Sequence, residues 1–139
     1  FFAGGKFYVP SNGGYSGLAI GTTAYNDAQS NIKYVDASSS DYKHYYTFSK
    51  GIYLVNISLF FTINGDASTS NVLGTALSVE VDDVQVANPW FRQINVWQTV
   101  NYSMVVHGSK LKVTMYVDRL VEIQSDTTKS YIEIVRLNY

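Results

Sequence analysis

The segment GIYLVNISLFFTI, residues 51 to 63, constrains this chain more than any other. Read with the two-residue period of a strand, Tyr53, Val55, Ile57, Leu59, Phe61 and Ile63 fall on one face. The opposite face carries Ile52, Leu54, Asn56, Ser58, Phe60 and Thr62, which is too apolar for free exposure to water. A helix over the same residues would put apolar groups all round its cylinder and string β-branched side chains through it, so the strand is the consistent reading. Such a strand needs a core on one side and a cover on the other.

The same alternation recurs. In residues 75 to 81, Leu77, Val79 and Val81 turn inward while Ser78 and Glu80 turn outward; Asp82-Asp83 then turns the chain into Val84 and Val86. From 94 to 106 the inward series is Ile94, Val96, Gln98, Val100, Tyr102, Met104 and Val106, and the outward series is Asn95, Trp97, Thr99, Asn101, Ser103 and Val105. Gly108 is expected to break that strand, with Leu111, Val113, Met115 and Val117 alternating after it. Further strands are expected at 42 to 48, near 119 to 124, and in the closing SYIEIVRLNY. Twelve tyrosines, seven phenylalanines and two tryptophans suit a pleated, half-buried surface. Strands joined by short polar turns, with no amphipathic helix between them, predict an all-β antiparallel sandwich or closed barrel.

Composition narrows the partners. The chain has 139 residues, 46% hydrophobic and 15% charged, which suits one folded domain. A formal charge of −1 leaves no field to gather nucleic acid or anionic lipid, and no apolar run is long enough for membrane insertion. Without cysteine there is no disulfide, thiol nucleophile or thiolate metal site. Six of the ten glycines lie in the first 21 residues, which read as a Gly-rich arm or shaft junction ahead of a head domain at 22 to 139. The arm's aromatics suggest that part of it lies against the domain or a neighbouring chain. An opening Phe1-Phe2 in place of methionine suggests a fragment or processed form.

Gly51-Ile52-Tyr53-Leu54-Val55 resembles the long third strand of the jelly roll shared by tumour necrosis factor ligands and complement C-one-q globular heads. Downstream, Gly108-Ser109-Lys110-Leu111 is similar to that superfamily's glycine turn and leucine-led strand, and residues 130 to 137 to its closing strand. The cadence of GTALSVEVDDVQV, residues 74 to 86, is similar to microbial and viral members: heads of trimeric bacteriophage spikes and fibres, and tips of spore filaments. The resemblance implies a ten-strand jelly roll assembled as a homotrimer, with a fibrous shaft N-terminal to it. It also implies which residues meet the neighbours around the threefold axis: Leu54, Asn56, Ser58, Trp97, Asn101, Ser103, Tyr131, Glu133 and Val135. The alternative is that the arm of the same chain covers Leu54 and Trp97. Position Asn56 is commonly tyrosine in the ligand branch; three asparagines there would bond one another or water. Three Glu133 carboxylates at an axis would have raised pKa values or attract a cation.

Catalytic chemistry is not expected. His44 and His107 fit no metal-ligand spacing, and the chain has neither a GxSxG elbow nor a phosphate loop. Asp82, Asp83, Asp118 and Asp126 could share calcium if their loops met, but they serve as turn residues without it, so no metal or other cofactor is expected. The sequons at Asn56 and Asn101 fall inside strands, where a glycan would destroy packing. For recognition, residues 87 to 92 read as a loop presenting Trp90, Phe91 and Arg92, which either meet a receptor or plug an end of the sandwich. The polar loop holding Asp66, Ser68 and Asn71 is the expected exposed tip.

These readings lead to a non-enzymatic trimeric head of a viral spike or fibre, on the virion surface, binding a host protein or glycan receptor. The alternatives are the tip of a bacterial or spore surface filament, and a carbohydrate-binding β-sandwich using Tyr42, Tyr45, Tyr46 and Trp90.

Overall fold

Alternating β-branched and aromatic residues become strands wherever one side can be buried. The computed structural model describes residues 7–9, 14–18, 20, 31–35, 44–63, 74–92, 97–117, 121–123 and 130–137. The strands are β1 (Phe7–Val9), β2 (Gly14–Gly17), β3 (Lys33–Val35), β4 (Tyr45–Ile63), β5 (Gly74–Val81), β6 (Val84–Ala87), β7 (Trp90–Arg92), β8 (Gln98–Val117), β9 (Val121–Ile123) and β10 (Tyr131–Arg136). All of their pairings are antiparallel. The hydrogen-bonded order is β1-β9-β4-β8-β5-β6, with β10 and β3 also on β4, β2 on β8 and β7 on β5.

The long strands β4 and β8 form the spine, and it turns a corner. Tyr46 and Thr47 pair with Leu111 and Lys110, the register then shifts, and pairing resumes at Gly51 opposite Gly108. Burial changes phase at the same place. Tyr46 and Phe48 point inward before the bulge, Tyr53, Val55, Ile57, Leu59 and Phe61 after it; on β8, Val100 and Val106 give way to Leu111, Val113 and Met115. A bulge lets a strand pass from one layer of a sandwich to the other while its apolar residues keep facing the middle. One layer is therefore built on residues 51 to 63 and 98 to 108 with β10 and β9. The other is built on residues 111 to 117 with β5, β6, β7 and β2. Their inward side chains, with Ile132, form one core cluster.

The corner leaves backbone groups outside the ladder, and side chains take them up. Asp82 Oδ1 accepts hydrogen bonds from Ser109 N at 3.1 Å, Ser109 Oγ at 3.2 Å and Lys110 N at 3.0 Å. Tyr53 donates its hydroxyl to the Ser49 carbonyl at 2.6 Å, and Arg136 Nη2 lies 3.5 Å from the Lys50 carbonyl. Asp82 and Asp83 both have positive φ, 49° and 68°, the geometry of a tight two-residue hairpin matched to strand twist. Lys110 Nζ meets Asp83 Oδ1 at 2.8 Å.

Several expectations change. Gly108 does not break a strand or form a turn; it lies inside β8, because the β5–β6 turn packs where its side chain would be. A Cβ there would sit 2.5 Å from Val81 Cγ1 and 2.6 Å from an Asp82 carboxylate oxygen. The strand expected at 42 to 48 and the one at 51 to 63 are one bulged strand. Residues 90 to 92 are not loop but a short strand paired with Gly74–Ala76. In segment 1–21, β1 pairs with β9 and β2 with β8, while Leu18 and Ile20 are buried in the core. Ile94 and Val96 lie outside the described residues.

Tyr46 ties that segment to the spine: it is buried, and its hydroxyl donates to the Ile20 carbonyl. Burial pushes its pKa well above the usual phenol value, with the neighbouring Tyr34 adding to the shift. Its folded pKa exceeds its unfolded one, so its contribution is full below about pH 10 and is lost as pH rises further. Tyr46→Phe is expected to cost about 1 kcal/mol at neutral pH. It should also lessen the stability lost between about pH 9 and about pH 11, as read in urea melts across that range. Gly108→Ala should cost roughly 1 to 3 kcal/mol, because the packed Val81 side chain and the Asp82 carboxylate held by Ser109 and Lys110 would have to move. An unchanged melt would contradict the corner geometry.

Candidate functional site

The register of the first layer sets its outward side chains in rows. Val135, Leu54 and Val105 lie side by side across β10, β4 and β8; the next row holds Glu133, Asn56 and Ser103, and the next Tyr131, Ser58 and Asn101. Phe60 stands opposite Thr99, and its ring stacks on Trp97 with centroids 4.9 Å apart. At the other end, Ile52 lies opposite His107, and its carbonyl accepts from Leu137 N at 2.8 Å. All the residues expected to meet neighbouring copies thus fall on one face.

Beneath this face Tyr53, Val55, Ile57, Leu59 and Phe61 are 0–2% exposed. On it, Val105 is 58% exposed, Val135 40%, Trp97 40% and Leu137 53%. These apolar side chains stand open among the described residues. Ser58 departs from the expected pattern, being buried at 3%. In these rows Glu133 carries the one formal charge, and Asn56 Nδ2 donates to its Oε1 at 2.7 Å. The Asn56 amide is thus already used within its own chain. Val105, Phe60 and Leu137 belong to the face but were not among the expected interface residues, although the alternation of residues 94 to 106 had turned Val105 outward.

Of the expected receptor residues, the side chains of Trp90 and Phe91 are described, and they part to opposite faces. Trp90 is 59% exposed, whereas Phe91 packs against the core cluster, as alternation along β7 requires. The Arg92 side chain lies outside the described residues, as do Asp66, Ser68 and Asn71. Of the tyrosines proposed for a carbohydrate surface, neither Tyr45 nor Tyr46 assembles with Trp90. Tyr46 is in the core, Tyr45 lies under Lys110 Nζ at 4.7 Å, and Tyr42 is outside the described residues.

His44 is buried and stacks on Tyr34 with centroids 5.8 Å apart, while His107 is on the outward face. Asp82 and Asp83 are engaged at the corner; Asp118 and Asp126 lie outside the described residues. Among the described residues no group of three or more His, Asp or Glu side chains is placed to hold a metal ion, and no helix is long and apolar enough to cross a membrane.

No protein-family model matches the chain, and no curated protein matches its sequence. Among solved structures the chain is similar to Eiger TNF from S. frugiperda, at 14% identity over 99% of this chain and 90% of that one, with a TM-score of 0.64. The chain therefore has a tumour necrosis factor-like jelly-roll fold. A family 35 carbohydrate binding module from an environmental isolate matches at 17% identity over 94% and 93% of the two chains, but its TM-score of 0.35 carries no argument.

The contact between Asn56 and Glu133 gives a direct check on the face. Asn56→Asp would set two carboxyl groups within hydrogen-bond distance, raising the folded pKa of one of them. Stability would then be present at low pH and lost as pH rises through that pKa. Urea melts should show the variant about 0.5 to 1 kcal/mol less stable than the parent near neutral pH, with the deficit shrinking towards pH 4. A deficit independent of pH would contradict the pairing.

Proposed function

We propose that this chain is a non-enzymatic head domain that assembles as a homotrimer, with the outward face of β10, β4 and β8 turned to the threefold axis. In this reading it stands on the virion surface at the end of a viral spike or fibre, follows a fibrous shaft, and attaches the particle to a host receptor. The observation that carries trimer assembly is the apolar row of Val135, Leu54 and Val105, the two valines exposed and Leu54 half-buried between them, on a layer whose reverse is a complete core. Copies of the same chain are the simplest cover, because burial removes apolar area from water at about 25 cal/mol per Å².

The rival cover, the N-terminal arm, loses support because its described parts are used elsewhere: in pairing with β9 and the far end of β8, and in the core through Leu18 and Ile20. The viral assignment rests on the likeness of residues 74 to 86 to microbial and viral heads. Three weak receptor sites on one rigid body would engage a surface by avidity, which suits an attachment role.

Leu54→Asp and Val105→Asp test the assembly. Each places a carboxylate in the proposed interface and leaves the core face untouched. Light scattering should show a trimer for the parent at micromolar concentration and a monomer for both variants, with circular dichroism unchanged. A parent that is monomeric, or variants that remain trimeric, would overturn the assembly.

A further inference from the structure

The opposite layer carries a second outward feature. Trp90, Ala76 and Tyr116 share one register line across β7, β5 and β8. The two rings are tilted at 53° with centroids 5.7 Å apart. Between them Ala76 is fully buried yet outside the core cluster, so it forms the floor beneath the two rings.

Trp90 is exposed but held. Its Nε1 donates to Asn88 Oδ1 at 3.2 Å, Asn88 Nδ2 donates to the Leu77 carbonyl at 2.9 Å, and Leu77 N donates to the Pro89 carbonyl at 3.0 Å. The indole N–H is thereby engaged at the protein side, and what the ring offers outward is its π surface, fixed before any ligand arrives.

The rows that follow on this face are polar and neutral. Ser78 pairs with Thr114, both of them buried, Glu80 pairs with Lys112, and the exposed Gln85 donates to Ser78 Oγ at 2.8 Å. Glu80 and Lys112 neutralise each other at 2.9 Å. A charged ligand finds no unmatched charge in these rows, and a purely apolar one would desolvate them without return.

We infer that this face is a binding site for a neutral oligosaccharide, with one hexopyranose stacking its C–H face on Trp90 and the following sugar residues running along β5 to turn their hydroxyls towards Gln85 and the Glu80–Lys112 pair, about 13 Å further on. The inference rests on the attachment reading and gives it a ligand class. Because the site takes only residues 112 to 116 of β8, on the layer away from residues 98 to 108, it shares no residue with the proposed trimer contacts.

The test is calorimetric titration of the whole chain with neutral tetrasaccharides of glucose, galactose and mannose, and with a sialylated one. At least one neutral sugar should bind. Trp90→Ala should weaken it by roughly tenfold or more, as loss of an anchoring aromatic does. Trp90→Phe should fall between the two, and Leu54→Asp should keep the per-site affinity. Binding of no neutral sugar, preference for the sialylated one, or binding that survives Trp90→Ala would each overturn the site. A parent that remains trimeric in those outcomes would leave the trimeric-head reading intact, whereas a monomeric parent that binds sugar through Trp90 would overturn the head and keep the site.

Discussion

Backbone pairing between β4 and β8 carries the whole molecule: β3, β9 and β10 join β4, β2 and β5 join β8, and β1, β6 and β7 attach through these. Both long strands serve two layers, so the spine has to bend, and the bend at Gly51 opposite Gly108 decides which side chains face the core on either side of it. Without the register shift, the inward series of one layer would continue as the outward series of the other. The glycine pair and the Asp82 carboxylate are therefore as necessary to the fold as the apolar residues. Gly108 permits the close approach of the β5–β6 turn, and the aspartate accepts the donors that the bulge removes from the ladder.

The same geometry separates two outward faces of different chemistry. On the layer of β10, β4 and residues 98 to 108 of β8, exposed Val105 and Val135 lie beside polar rows, with Trp97 stacked at one end and Glu133 held by Asn56. On the layer of β5 and residues 111 to 117 of β8, Ser78 and Thr114 are buried, the Glu80–Lys112 pair is half-buried, and Gln85 is exposed along with the anchored Trp90. The aliphatic row suits a contact between copies, with the polar rows beside it, Asn101, Ser103 and the Asn56–Glu133 pair, taking partners across that contact. A hydroxyl- and amide-bearing face with one fixed aromatic suits a reversible ligand.

Much of this was legible in the sequence, for a simple reason. Period-two alternation is a local signal, and it placed Tyr53 through Phe61 in the core and Leu54, Ser103 and Val105 outward without knowledge of strand order. Gly108 was misread because a glycine that ends a strand and one that lets a neighbouring turn approach look alike until that turn is in place. Asp82 read as a turn former, and nothing local announced that its carboxylate would accept from residues 109 and 110. Trp90 and Phe91 looked like one binding pair in a loop, but a strand three residues long suffices to send them to opposite faces. Ala76 and Tyr116 are forty residues apart in the chain, so the ring pair that includes Trp90 has no signature in sequence.

The central claim is that copies of this chain close over the row of Leu54, Val105 and Val135. Because the chain has no cysteine, Ser103→Cys offers a single attachment point for a nitroxide at the middle of that face. Double electron–electron resonance on the labelled protein is predicted to give one narrow, short distance between labels, with the modulation depth of three coupled spins. A decay that shows only the unstructured background of isolated monomers would contradict the account.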